Sequence, residues 1–353
     1  MSTRTAGGRL EPLRERTNGF TVTPPQCAYA AYVALAALTV IVLTGAAVRL
    51  SGSGLGCPTW PKCYGNLYPP LRSHAVIEFS NRVLTAPVCI AAGLAWLAAL
   101  RRRPYRRDLM WLSALLPLGV IGQAVLGGLT VRGELDYGWV MAHFALSMLI
   151  IAAAVALVWR AGRSAGVRMP GLPVPARPGL PAPADDRRSG PATDRALVWA
   201  TRALVGLGAL TLFAGTAATA AGPHAGGSPG QKINRLSFDG RGTMDFVIHR
   251  HAEIAFVFSV FAVVVWWLAR RRGADPLLKR SLTTLCILLA LQGAVGLDQY
   301  ETHLPTELVW VHVTLASVTW IATLWSGFAA AGRQAPAEPA PEARAASLAR
   351  APV

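Results

Sequence analysis

Hydrophobic and polar positions alternate in long blocks along this chain. Eight stretches of about twenty apolar residues are separated by short polar or basic segments, at roughly 27–50, 76–100, 109–130, 138–159, 196–221, 244–269, 279–297 and 308–331. Each is about the length that a bilayer-spanning helix requires. The pattern predicts an all-α membrane protein with eight transmembrane helices, and no soluble fold competes with it. Residues 1–26 are polar and predict a disordered tail. The first apolar stretch is too long, and its preceding segment too polar, for a cleaved secretory signal. A run rich in Pro, Gly, Ala and Arg (MPGLPVPARPGLPAPADDRRSGPATDR) separates the fourth and fifth stretches. It predicts a flexible linker over 161–195, between an N-terminal four-helix half at 27–160 and a C-terminal half at 196–331. A low-complexity tail at 332–353 closes the chain.

Composition agrees: 53% of the 353 residues are hydrophobic and 15% charged, with a mean hydropathy of +0.39. The formal net charge of +16 could suggest a nucleic-acid partner, but its distribution argues against one. Arginines crowd the N-terminal tail (Arg4, Arg9, Arg14, Arg16), the turn at Arg101, Arg102, Arg103, Arg106 and Arg107, the linker, and Arg270, Arg271, Arg272, Lys279 and Arg280. In an eight-helix topology all of these fall on one side. Positively charged loops stay in the cytoplasm, so both termini are expected there, in the cell membrane, with anionic lipid as a secondary attraction.

The two halves carry matching polar landmarks. Gln123 and His143 answer to Gln292 and His312 at an offset of 169, and Gly45 and Gly52 answer to Gly215 and Gly222 at 170. Asn81-Arg82 answers to His249-Arg250 at 168. These recurrences predict two tandem pseudo-symmetric four-helix bundles. Polar residues inside apolar segments are costly and usually functional. Asn81, His143, His249 and His312 all fall near the outer starts of even-numbered helices. Two histidines from the second and fourth helices of a bundle can meet in its core, and a bis-imidazole pair is a standard way to hold heme iron. The alternative is a hydrogen-bonded interhelical histidine.

His251 competes with His249, since two residues along a helix lie about 200° apart and cannot both face one core. Register with Asn81-Arg82 selects His249. Arg82 and Arg250 would then flank the ligand positions, suited to pairing with heme propionates, although arginines there could also snorkel to headgroups. Glu78 breaks the symmetry. It shares a helical face with Asn81 and Arg82, and its counterpart at the 168 offset is Phe246. An intramembrane carboxylate on one side alone marks that half as the site of chemistry, unless it merely pairs with Arg82. Cys57 and Cys63 lie in a Pro- and Gly-rich outer loop where a disulfide is permitted; two unrelated thiols are the alternative. His74 and His224 fall in or near outer loops and are weaker candidates, as is His251.

These residues resemble a known family. VRLSGSGLGCPTWPKCYG after the first helix, IEFSNR opening the second, and QAVLGGLTV with AHFALS in the third and fourth are similar to heme A synthase. AGPHAG, IHRH and WVHVTLAS extend the likeness through the second half. The resemblance implies a membrane oxidoreductase that converts a porphyrin methyl group of heme O to a formyl group, giving heme A for terminal oxidases. It implies that the second half holds a resident heme b through His249 and His312, that His143 ligates the substrate heme iron, and that Glu78 is the essential acid. It also implies a Cys57–Cys63 disulfide. Many members have histidine where this chain has Asn81, so the substrate iron here would be five-coordinate or use another group such as His74. An apolar substrate favours proximity to the farnesyltransferase that makes heme O and to cytochrome oxidase assembly. Two other classes stay open from the residues alone: a di-heme b electron-transfer cytochrome, and a heme carrier without catalysis.

Overall fold

A computed structural model describes residues 20–165, 194–228, 230–238 and 242–331. The N-terminal arginines, most of the expected linker and the C-terminal tail lie outside the described residues. Eight helices follow in order: α1 (Pro24–Leu50), α2 (Ser73–Arg101), α3 (Arg107–Arg132), α4 (Tyr137–Ser164), α5 (Arg195–Ala221), α6 (Thr243–Arg271), α7 (Pro276–Glu301) and α8 (Thr306–Ala331). All eight are long and apolar enough to cross a membrane. Among the described residues the extended contacts are two isolated bridges, Val22 with Arg102 and Cys63 with Asn66. The apolar stretches locate each helix but stop short of its ends. α4 continues to Ser164, into the expected linker, and α1 begins at Pro24, inside the expected tail.

Local chemistry sets those ends. Asp136, Asp194 and Asp275 each accept a hydrogen bond from the backbone N–H two residues on, capping α4, α5 and α7. Thr23 and Gln26 form a reciprocal capping box at α1, with Pro24 at its first position. Hydroxyls within the helices donate back to carbonyls one turn earlier, as Thr39 does to Leu35 and Ser259 to Ala255. That satisfies groups that hydrocarbon cannot.

α1 packs on α2 and α4, and α3 on α2 and α4; α5 packs on α6 and α8, and α7 on α6 and α8. The α1–α2 seam is built from small residues, Ala28, Ala31 and Ala34 against Ala92, Ala95 and Ala99, which let the backbones approach closely. The two four-helix sets meet through α1, α4, α5 and α8. Met148, Ile151 and Val155 of α4 pack there against Trp320 and Leu324 of α8. Large apolar side chains such as Ile90, Leu118, Ile121 and Phe256 are exposed on the outer flanks. A bilayer rather than water suits such a surface.

Candidate functional site

The polar landmarks collect near one end of the bundles, each against a glycine of a neighbouring helix. In the second set, His251 of α6 lies against Gly215 of α5, where an added Cβ would stand 3.1 Å from the ring. His312 of α8 lies against Gly296 of α7 in the same way, at 3.2 Å. The two imidazoles face each other with ring centres 6.2 Å apart and planes at 77°. In the first set, Asn81 of α2 lies against Gly45 of α1, and His143 of α4 against Gly127 of α3. Asn81 accepts a hydrogen bond of 2.7 Å from Thr44. Gln123 donates to the His143 carbonyl (3.0 Å) and Gln292 to that of His312 (3.1 Å).

The structure corrects one register. The histidine brought to His312 is His251, whereas His249 is exposed, donates from Nδ1 to the Asp245 carbonyl of its own helix, and meets Tyr300 edge-on at 6.3 Å. The reason is geometric. Gly45 touches Asn81 and Gly215 touches His251, so the offset of 170 that relates the glycines also relates their partners. The 168 offset rests on a chance arginine. Arg250 is exposed and ion-paired with Glu253 at 2.7 Å. The counterpart of Glu78 becomes Ile248 rather than Phe246, apolar in either case.

His251 has the hydrogen bonding of a metal ligand. Its Nδ1–H donates to the Thr211 carbonyl at 3.2 Å. A carbonyl can only accept, so the neutral ring keeps its lone pair on Nε2. Metal–imidazole bonds are roughly 2 Å long, and two of them in line separate ring centres by a distance of the order seen here. The Nδ1 atoms of His143 and His312 and the Oε1 atoms of Gln123 and Gln292 are buried without a partner among the described residues. Buried polar atoms are rarely left so, and their recurrence at matched positions marks both clusters as polar seats. The residues of the second cluster therefore fit a bis-imidazole heme.

The first cluster carries a different apparatus. Glu78 is buried, 6% exposed, and one carboxylate oxygen accepts from the Cys57 N–H at 2.7 Å. The other oxygen pairs with the Arg82 guanidinium. Arg82 also donates to the carbonyls of Cys57 and Thr59, each at 2.8 Å, and lies over the Trp60 ring at 5.1 Å. Trp60 in turn fills the space beside Gly128 of α3. Cys57 and Cys63 are joined by a disulfide and fully buried. Arg82 is thus committed to the loop and the carboxylate instead of standing free for a propionate. His74 bonds Ser53 (2.9 Å), and His224 donates to the Leu304 carbonyl (2.7 Å), so both serve loop structure. Thr44 and Trp60 belong to the site without having been singled out in the sequence. Trp60 falls inside the loop motif VRLSGSGLGCPTWPKCYG, but a packed indole looks like any other loop tryptophan, and Thr44 looks like any other helix hydroxyl.

A helical, multi-pass membrane protein with two histidine-centred clusters, one beside a buried acid and a disulfide loop, is the class that this fold defines. The chain matches the COX15-CtaA family, described as cytochrome oxidase assembly protein, over residues 28–76 and 72–324, and it belongs to that family. Among similar relatives are the heme A synthase of Bacillus pumilus (strain SAFR-032), 30% identical over 36% of this chain and 43% of its own length, and that of Lysinibacillus sphaericus (strain C3-41), 33% identical over 36% and 42%. The heme A synthase of Shouchella clausii (strain KSM-K16) is 34% identical over 33% and 40%. The match spans about two fifths of these relatives' length.

Proposed function

We propose that this protein is a heme A synthase, oxidising a porphyrin methyl group of heme O to the formyl group of heme A. The observation that carries this reading is the asymmetry of the two clusters. One pairs His251 with His312, and the other places a buried Glu78 one turn before Asn81 on α2, in the four-helix set that also carries His143. Two equal electron-transfer hemes would call for two equal ligand pairs, which argues against the di-heme cytochrome. The halves are read as tandem pseudo-symmetric four-helix bundles, 27–160 for the substrate and 196–331 for a resident heme b. Both termini lie in the cytoplasm, and the Cys57–Cys63 loop lies outside it.

In this reading His251 and His312 hold heme b, which when bound supplies reversible one-electron transfer. His143 ligates the iron of the substrate heme, and Asn81, an amide already bonded to Thr44, leaves the opposite position to a weaker ligand or to none. Conversion of methyl to formyl balances as R–CH3 + H2O giving R–CHO with release of protons and electrons in successive oxidations, the oxygen coming from water and the electrons leaving to an external acceptor. Glu78 is the group placed to accept a proton, and the Cys57 N–H and Arg82 hold it in place. The farnesyltransferase that makes heme O and the assembling oxidase are the natural neighbours upstream and downstream.

Glu78→Gln is the direct test, because it keeps the shape and removes the basicity. Hemes extracted from the purified variant and identified by mass should include heme b at the wild-type amount, with heme A lowered about 10²–10⁴-fold, the usual cost of losing an acid–base group. Normal heme A output from this variant would show that the chemistry lies elsewhere.

A further inference from the structure

The flank of the first four-helix set carries an apolar groove. It lies between α1 and α2, has a volume of about 340 Å³ and a wholly apolar wall, and is lined chiefly by Val33, Ala37, Val40, Leu84, Pro87 and Val88. That is roughly ten times the ~30 Å³ that one water occupies in the liquid, room for a hydrocarbon chain rather than a methyl group. Val40 lies one turn before Thr44 on α1, and Leu84 and Val88 lie one and two turns beyond Asn81 on α2. The groove therefore runs straight on from the hydrogen-bonded Thr44–Asn81 pair toward the bilayer centre. Pro87 has no N–H to give the helix ladder, which loosens α2 at the groove wall.

Carried across the offset of 170, three of the seven lining positions hold larger side chains, Leu207 for Ala37, Leu210 for Val40 and Phe258 for Val88, whereas Val33 and Ala36 answer to the smaller Ala203 and Gly206. Phe258 is buried, 3% exposed, and its ring reaches across to Gly208 of α5. One set leaves the seam between its first two helices open below the polar cluster, and the other plugs it with a phenyl ring.

We infer that the α1–α2 groove is the seat of the isoprenoid tail of the substrate heme, and that Phe258 and Leu207 deny that seat to a tailed heme in the second half. The inference rests on the assignment of the substrate to the first half. Heme O differs from heme b by a long hydroxyalkyl isoprenoid chain. An open apolar groove that begins one turn from the Thr44–Asn81 pair suits such a chain. The tail then supplies the discrimination between two hemes whose macrocycles and propionates are otherwise alike.

The test fills the groove from its exposed rim. Val40 is 48% exposed, so Val40→Trp adds bulk without overpacking the core, and Val88→Phe copies the second half directly. Ile90→Phe, on the exposed flank of α2, is the control. Purified proteins in detergent carrying their resident heme are titrated with heme O and, separately, with protoheme, which has no tail. Filling the groove removes the tail's packing contacts, and a loss of about 1.4 kcal/mol of them should weaken heme O binding by about tenfold. Protoheme binding and resident heme content should change less than about twofold. Heme O affinity unchanged in both Val40→Trp and Val88→Phe would overturn the inference. If phospholipid co-purifying with those variants fell instead, the groove would be a lipid seat. Failure of the wild-type protein to take up heme O at all would overturn the heme A synthase reading as well, an outcome distinct from failure of the variants alone.

Discussion

At the scale of single residues, the sharpest question is which histidine of IHRH faces inward. A ring set against Gly215, donating from Nδ1 to Thr211 and facing His312, offers Nε2 to a metal. A ring bonded to its own helix and exposed on the flank does not. His251→Ala should therefore abolish most of the low-spin heme b absorbance of the purified protein, while His249→Ala should keep it. The reverse pattern would mean that α6 is turned about its own axis, bringing the opposite face to α8. This residue also shows how far the sequence could be read. The glycines already carried the offset of 170, and they contact the very side chains whose register was in doubt. Contact is not visible in a string of letters, however, and the repeated arginine of Asn81-Arg82 and His249-Arg250 drew the alignment two positions away. Glu78 was legible as an acid stranded in an apolar segment. Its grip on the Cys57 amide was not, because a hydrogen bond between positions so far apart in the chain leaves no periodic trace.

At the scale of elements, apolar length alone located all eight helices, since a bilayer imposes that length irrespective of the partners a helix meets. The helix ends were less legible, because caps such as Asp136 and Asp194 are single polar residues among many. The loop between α1 and α2 is the element on which the proposed chemistry depends. Trp60 seats it against α3 at Gly128, where an added Cβ would lie 2.6 Å from the indole. The same indole lies under Arg82, which bonds Glu78. Gly128→Ala must shift the ring and, through Arg82, the carboxylate. It should lower heme A formation by about tenfold or more and speed proteolysis within 57–65, with heme b content unchanged. Gly93→Ala is the contrast, since nothing lies within 4 Å of its added carbon. Equal heme A output from the two variants would separate the loop's seating from the position of Glu78.

At the scale of the whole molecule, the proposed function needs the two four-helix sets to stay together, and the loops beside the polar clusters supply a clasp. Arg49 at the end of α1 reaches into the other half, donating to the carbonyls of His224 (2.9 Å) and Thr219 (3.3 Å). The Gly54 N–H donates to Gly226 (2.8 Å), the Ser228 hydroxyl to Gly52 (2.9 Å) and the Asn234 amide to Asp136 (2.6 Å). Deeper in the bundle, Trp310 and Trp320 of α8 donate to carbonyls of α1 and α4. At the 170 offset Arg49 corresponds to Thr219, one of the residues it binds. The cation is therefore a feature of one half directed at the other, and not a relic of the repeat. Hydrogen bonds from a charged group contribute about 1.5–3 kcal/mol. Arg49→Met should keep the packing of the stem while losing that amount, lowering the thermal midpoint of the purified protein. Heme b, ligated within the second set alone, should remain bound at low temperature. If the clasp sets the distance between the sets, heme A output should fall even below the melting range. A midpoint and an output both equal to wild type would mean that apolar contact of α1 and α4 with α5 and α8 holds the halves without it.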